Sequence, residues 1–408
     1  MDVGVRCFDK KNDRSFFVHL SSHLKAVAMK IKLTLTTMTA AVLLAACGGG
    51  SDTSAVKVVG DSLADSGTFG IKFTVQGNAS NPTTIWTDRV AGALDAPALC
   101  ARYTANSARQ PVLNPAATSC TSYGVGGGRI NPIGTAADAT PISVVQQLKD
   151  LAASGKFGDR DVLLANGGGN DAADLVGAFL AASRDGGASY TALLAELLSP
   201  TQIQTAAAGG QAGLAQAGGL YMVALANSFA DALNTHALNN GAQRVAVVTA
   251  PDVTKTPRFQ AVLAGVALAS GGGTVGQTAA AQVAAMADGW VKAFNGQLST
   301  RFANNPKVVM VDFYSELNKW LASPAAYGLT NTTTPACPVT GRDENGLPAY
   351  TIATCTADGL SAAPPAGVSG GADWWKTYVF SDNFHGTPRT NQLVADVVLT
   401  ALASKGWK

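Results

Sequence analysis

VKVVGDSLADSG, residues 56–67, runs from an apolar stretch straight into a glycine, an aspartate and a serine. Val56–Val59, interrupted only by Lys57, reads as a short buried strand. Gly60 marks a tight turn at its end, yet a turn alone does not explain a serine set between Asp61 and Leu63. Ser62 is either a turn residue or a nucleophile.

The pattern of a strand followed by glycine recurs downstream. SYGVGGGRI (residues 122–130) and DVLLANGGGND (residues 161–171) each read as a strand entering a glycine turn. RVAVVTA (residues 244–250) and KVVMVDF (residues 307–313) are two further strands. Helical patterns separate them: TIWTDRVAGAL (residues 84–94), PISVVQQLKDLAAS (residues 141–154), a stretch around residues 278–302, and residues 390–404. Five short apolar strands separated by helices predict an α/β domain with a doubly wound, mostly parallel sheet. Sites in such sheets lie beyond the carboxyl ends of the strands, where Ser62, Gly126, Gly127, Gly128 and Asn170 all fall. Residues 172–240 are alanine-rich and helix-prone, an insertion that caps the sheet or shapes a pocket.

The domain is expected to occupy residues 56–408. Residues 1–28 carry mixed charges and read as an upstream misread start. Residues 29–46 combine a basic end, an apolar run of about a dozen residues and a small-residue exit. That describes a secretory signal, too short for a membrane span of roughly 20 residues. Residues 47–55 form a Gly/Ser tether. LLAAC (residues 43–47) also resembles a bacterial lipobox, which implies lipid attachment at Cys47. With Gly48 next, it implies an outer-membrane lipoprotein anchored through its N-terminus. Ordinary cleavage and release, secreted or periplasmic, is the alternative.

Removing residues 1–46 changes two readings. They hold seven Lys/Arg and three Asp/Glu of the chain's 29 and 27, which leaves 22 against 24. The mild basicity disappears, and with it any argument for a nucleic-acid partner. Of the six cysteines, Cys7 lies upstream and Cys47 at the lipobox. The spacings of Cys100, Cys120, Cys337 and Cys355 suggest bridges Cys100–Cys120 and Cys337–Cys355, among three pairings open to four cysteines. None has zinc-site spacing, and disulfides persist in exported chains.

A serine hydroxyl needs a base to take its proton and donors to hold the oxyanion that forms. His19 and His23 belong to the removable segment, so His236 and His385 remain. His236 sits in the last turn of an expected helix, where a cation favours the dipole and a structural role is the better reading. His385 lies in DNFHG (residues 382–386), three residues after Asp382. From a loop, that carboxylate can reach the imidazole Nδ1, fix the tautomer and stabilise the imidazolium. The glycines at 126–128 let backbone N–H groups approach a ligand, and Asn170 offers a side-chain amide. With the N–H of Ser62 they would form a three-donor oxyanion hole.

Gly60-Asp61-Ser62-Leu63, Gly168-Gly169-Asn170-Asp171 and Asp382-x-x-His385, in that order, resemble the blocks of the GDSL (SGNH) esterase/lipase family. SYGVGGG falls where that family has its glycine block. PDVTKTP (residues 251–257) is similar to members of its bacterial lecithinase/haemolysin-like branch. The resemblance spans about residues 56 to 400. It implies a flavodoxin-like three-layer α/β/α sandwich with a mostly parallel five-stranded sheet, and ester hydrolysis without a metal or other cofactor. By position it makes Ser62 the nucleophile, His385 the base oriented by Asp382, and the N–H groups of Ser62 and Gly127 with Asn170 the oxyanion hole. Gly127 is taken over Gly126 by alignment of the block. The sequence departs from the pattern in three places. Ser122 stands where the block usually begins with asparagine, Gly386-Thr387 replaces Pro-Thr, and Asn391 or thereabouts replaces a second histidine. The departures leave the triad intact and remove the branch as a guide to substrate.

Competing motifs fall away. GVSGG (residues 367–371) matches G-x-S-x-G, but Ser369 follows SAAPPAG, which cannot be a central strand. HExxH, paired histidines and a P-loop are absent, and Arg129 stands where a dinucleotide fingerprint needs its last glycine. The expectation is an exported serine hydrolase acting on small-molecule or lipid esters through an acyl-serine. Asp61 braces the turn, and Arg129 and the insertion are candidates for shaping the pocket. The alternatives are an acyltransferase or carbohydrate deacetylase on the same scaffold, or a catalytically silent ligand-binding surface lipoprotein.

Overall fold

Valine, leucine and alanine fill the strands almost without interruption, as strands buried on both faces require. The computed structural model describes residues 53–132 and 140–408. The signal segment, Cys47 and the start of the tether therefore lie outside the described residues. In chain order, β1 (Val56–Val59) is followed by α1 (Trp86–Ala93) and a hairpin of β2 (Tyr103–Ala105) and β3 (Pro111–Leu113). Then come α2 (Val144–Ala153), β4 (Val162–Asn166) and four helices, α3 (Gly169–Asp185), α4 (Ala188–Ala195), α5 (Pro200–Ala208) and α6 (Gly210–Leu233). β5 (Arg244–Val248), α7 (Pro257–Ala269), α8 (Gly273–Phe302), β6 (Val308–Val311) and α9 (Phe313–Ala322) follow. The small pair β7 (Gly341–Arg342) and β8 (Pro348–Ala349), α10 (Ala357–Ala362) and α11 (Pro388–Ser404) complete the chain.

The central sheet has the order β1-β4-β5-β6, every pair parallel. Among the described residues it has four strands where five were expected. The segment expected to supply the fifth, residues 122–130, touches β1 through a single bridge, Val58 to Ser122. Its backbone still tracks the edge: Val58 N–H donates to Thr121 O at 3.0 Å, Tyr123 N–H to Val58 O at 2.7 Å, and Val125 N–H to Gly60 O at 3.1 Å. Pairing stops at Gly126 because its N–H is taken by the Asp65 side chain at 2.7 Å. Counted as a strand, this edge segment gives the order 2-1-3-4-5 of flavodoxin-like sheets.

Alternate residues of each strand face opposite layers. Val59, Leu163, Ala165, Val245 and Val247 pack with α2, α3, α6 and α8. Val58, Leu164, Ala246, Val248 and Val311 pack with α1, α9 and α11. The helices begin where capping side chains put them: Ser143 caps α2, Thr256 caps α7 ahead of Pro257, and Thr387 caps α11 ahead of Pro388. Two disulfides, Cys100–Cys120 and Cys337–Cys355, join cysteines whose Cα atoms lie 5.0 and 5.5 Å apart. No helix among the described residues is long and apolar enough to cross a membrane.

Candidate active site

Ser62 follows β1 by three residues, at the carboxyl edge of the sheet. Its turn is held from three directions. Asp61 accepts hydrogen bonds from Leu63 N–H (2.9 Å) and from the Asn166 side-chain amide at the end of β4 (2.8 Å). Gln147, fully buried on α2, accepts from Gly60 N–H at 2.7 Å and donates to Gly60 O at 3.0 Å and Pro141 O at 2.8 Å. Asp65, also fully buried, accepts from Gly67 and Thr68 N–H and, through its other oxygen, from Gly126. One carboxylate thus couples the serine turn to the glycine block.

His385 and Asp382 arrive on the loop ahead of α11. His385 Nε2 lies 2.8 Å from Ser62 Oγ, and His385 Nδ1 lies 2.7 Å and 2.9 Å from the two Asp382 oxygens. Asp382 Oδ1 also accepts the backbone N–H groups of Phe384 and His385, each at 2.8 Å. The loop is closed by Ser381 N–H donating to His385 O at 2.7 Å. Thr74, Ser381 and Asn391 all donate to Gly386 O. Phe73 lies against the imidazole, ring centroids 4.9 Å apart. Burial works against the imidazolium, but the charge and hydrogen bond of Asp382 outweigh it and raise the His385 pKa above its ordinary 6.5. Burial also opposes ionisation of Asp382, and there His385 and the two N–H groups prevail and hold the carboxyl below its ordinary range. Asp61 goes the other way: burial pushes it up against its hydrogen bonds.

Gly127, Gly169 and Asn170 line the same cleft as Ser62 and His385, which encloses about 410 Å³. Asn170 stands in the first turn of α3 and spends one amide hydrogen on Gly128 O at 2.9 Å. Gly126 N–H is taken by Asp65, whereas the N–H groups of Ser62 and Gly127 have no partner among the described residues. Phe69, Ile71, Phe73, Pro251, Val253 and Phe384 supply apolar walls. A smaller chamber of about 50 Å³ lies behind, sharing Asp61, Leu63, Pro251, Thr256 and Phe384 with the cleft.

Two expectations about the pocket need correction. Arg129 does not line the cleft: its guanidinium is committed to both oxygens of Asp174 and to Gly127 O. No residue of the 172–240 insertion lines it either, because these helices pack on one face of the sheet, α6 against α8. His236 ends the α6 helix in a π turn, Asn234–Leu238, where burial and then Lys149 lower its pKa, against the expected gain from the dipole. Ser369 lies exposed in a loop. Among the departures from the family pattern, Ser122 Oγ is fully buried and accepts from Ser66, and Asn391 Oδ1 accepts Trp86 N–H at the start of α1. Gln147, Asp65 and Asn166 were not foreseen as site residues. Among the described residues no cluster of His, Cys, Asp and Glu could hold a metal ion.

A family model described as GDSL-like Lipase/Acylhydrolase matches residues 56–398. No curated protein matches the chain. The parallel sheet flanked by helices is consistent with the SGNH hydrolase fold.

Proposed function

We propose, because the chain belongs to the GDSL-like lipase/acylhydrolase family, that it is an exported serine hydrolase cleaving carboxylic esters through an acyl-serine. One observation carries the reading: a continuous relay from Ser62 Oγ through both ring nitrogens of His385 to Asp382, with no contact longer than 2.9 Å. As the Ser62 oxygen attacks the ester carbonyl, its proton passes to His385 Nε2. Asp382 holds the ring and stabilises the imidazolium. The oxyanion is met by the free N–H groups of Ser62 and Gly127 and by the Asn170 amide, each donor contributing about 3 kcal/mol to the transition state. His385 returns the proton to the departing alkoxide. Water, deprotonated by the same nitrogen, then releases the acid. Within the family, PDVTKTP supports the lecithinase/haemolysin-like branch, and here it places Pro251, Val253 and Thr256 on the cleft wall.

Export is supported by the signal-like segment and the two disulfides, and the lipobox supports an outer-membrane anchor on Cys47. The full-length chain, expressed with export, is to be assayed on p-nitrophenyl esters from acetate to palmitate. Ser62→Ala and His385→Ala are expected to lower kcat by about 10⁴ or more, since the groups act as a unit. Full activity in Ser62→Ala would end the assignment. Cys47→Ser is expected to move the protein from the membrane to the soluble fraction, and unchanged fractionation would refute the anchor.

A further inference from the structure

Arg109 is the residue of the cleft that the mechanism leaves unused. It lines the cavity holding Ser62 and His385, and its guanidinium has no partner among the described residues. Besides Arg109 the titratable groups lining the cleft are His385, engaged by Ser62 and Asp382, and Asp61, which is buried and turned onto Leu63 N–H and Asn166. No carboxylate therefore neutralises Arg109 from within the cleft.

The backbone beneath Arg109 is built to present it. The residue caps the β2–β3 hairpin at φ 58°, a left-handed conformation that glycine adopts at lower cost. The loop is ordered: Asn106 Oδ1 accepts the N–H groups of Ala108 and Gln110, and Asn106 N–H donates to Gln110 O. Ala105 N–H donates to Thr68 O at 3.0 Å, which pins the hairpin beside Phe69, and the Cys100–Cys120 bridge brackets it. A long cationic side chain thus occupies a position where glycine would serve the turn alone.

We propose that Arg109 is a specificity-determining residue that recognises a negative charge on the alcohol portion of the ester. The substrate would be an amphiphile with an apolar acyl chain and an anionic leaving alcohol. The inference rests on the esterase reading. Phe69, Ile71, Phe73 and Phe384 offer the acyl chain an apolar surface. Arg109 is exposed at the open rim, the side from which the first product must depart. The chemistry is unchanged: the acyl C–O bond breaks, the Ser62 ester forms, and the alcohol leaves with the His385 proton and its own negative charge. Water then releases the acid. A guanidinium pairs with carboxylate or phosphate, so both are tested.

The experiment measures kcat/KM of the exported full-length protein on two matched pairs. One is 4-carboxyphenyl hexanoate against its 4-carbamoyl analogue, and the other is monohexanoylglycerol phosphate against monohexanoylglycerol. Wild type is expected to favour the charged member of at least one pair by roughly tenfold, less at high salt. The pair that shows the preference identifies the anion. In Arg109→Gly, which suits the turn, the ratio is expected to fall to about one, and in Arg109→Glu to invert. Because each ratio is taken within one protein, a folding defect does not move it. Absence of preference in both pairs, or its persistence in Arg109→Gly, overturns the proposal alone. Failure of wild type on all four esters and on p-nitrophenyl hexanoate overturns the esterase reading, and this inference with it.

Discussion

His385 is under two opposed influences. Burial disfavours its cationic form, while Asp382 at 2.7 Å, and more weakly Asp61, favours it, and the balance lies above 6.5. The proposed attack needs the neutral ring, so kcat/KM on a p-nitrophenyl ester is expected to fall as pH drops through a value above 6.5. Asp382→Asn removes the charge that raises that value. The acid limb should move to lower pH and kcat fall by about 10⁴. A limb that stays in place would deny Asp382 this role. The same pair gives stability a sign. A raised histidine stabilises fully below its unfolded 6.5 and stops doing so as pH rises through its folded value; a depressed aspartate stabilises above its unfolded 3.8 and stops as pH falls through its folded value. Both act together between 3.8 and 6.5, so thermal melts of Asp382→Asn should show their largest deficit in that window. The neighbouring glycines separate two further effects. At Gly128 a Cβ would stand 2.7 Å from Gly60 O and 3.0 Å from Asp61 Cα, inside the serine turn. At Gly127 (φ 78°) the nearest atom is the end of Arg129, 3.6 Å away. Gly128→Ala is therefore expected to displace Ser62 and lower kcat by about 10²-fold. Gly127→Ala meets no such obstacle, only left-handed strain of about 1–2 kcal/mol. Equal activity in the two variants would refute the packing argument.

At the scale of elements, α2 acts on the site through one side chain. Its buried stripe, Val144, Gln147, Leu148 and Leu151, has helical spacing, and the amide in it closes both backbone groups of Gly60. Gln147→Leu keeps the volume and takes the partner from the buried Gly60 N–H and from the half-buried Pro141 O, while Gly60 O keeps Val125 N–H. An unmet buried group costs about 1–3 kcal/mol, so a loss of about 2 kcal/mol in denaturant melts is expected, with kcat lowered as the turn loosens. Unchanged stability would show that the turn holds itself. The signal was present in the sequence as a polar residue on an otherwise apolar helix face. The strands were legible for a related reason, since parallel strands buried on both faces are written as continuous apolar runs. Residues 122–125 were harder, because what ends their pairing is a carboxylate 61 residues earlier in the chain. Hydrogen bonds of that reach, Asp65 to Gly126 or Asn166 to Asp61, leave no local pattern to read. Asp382 and His385, three residues apart on one loop, leave one.

Across the whole molecule, the position of an element on a face of the sheet cannot be read from the element itself. The insertion is helical by composition, but whether it walls the cleft depends on which layer it joins, and it joins the one away from the loop of Asp382 and His385. Residues distant in sequence close the cleft instead, and the second disulfide links them. Cys337 N–H donates to Ser381 O at 2.8 Å, one residue before Asp382. Across the bridge, Cys355 O accepts Gln76 N–H at 2.8 Å, at the end of the segment that carries Phe69, Ile71 and Phe73. Trp374, Trp375 and Val75 pack around the sulfurs in one small core. The bridge thus ties the loop that carries Asp382 and His385 to the wall that stacks on the imidazole. Replacing both cysteines by alanine frees a loop of 18 residues, which is worth about 3 kcal/mol and a few degrees in Tm. If the bridge also sets cleft geometry, the same variant should lose activity at temperatures well below its melting transition, with kcat falling more than KM rises. The Cys100–Cys120 pair offers the contrast: it brackets the hairpin at the rim and, among the described residues, shares no backbone hydrogen bond with the loop of Asp382 and His385. Its removal is expected to lower Tm by a similar amount while leaving the kcat of p-nitrophenyl ester hydrolysis nearly untouched. Equal losses of kcat in the two variants would mean that the bridges act through stability alone.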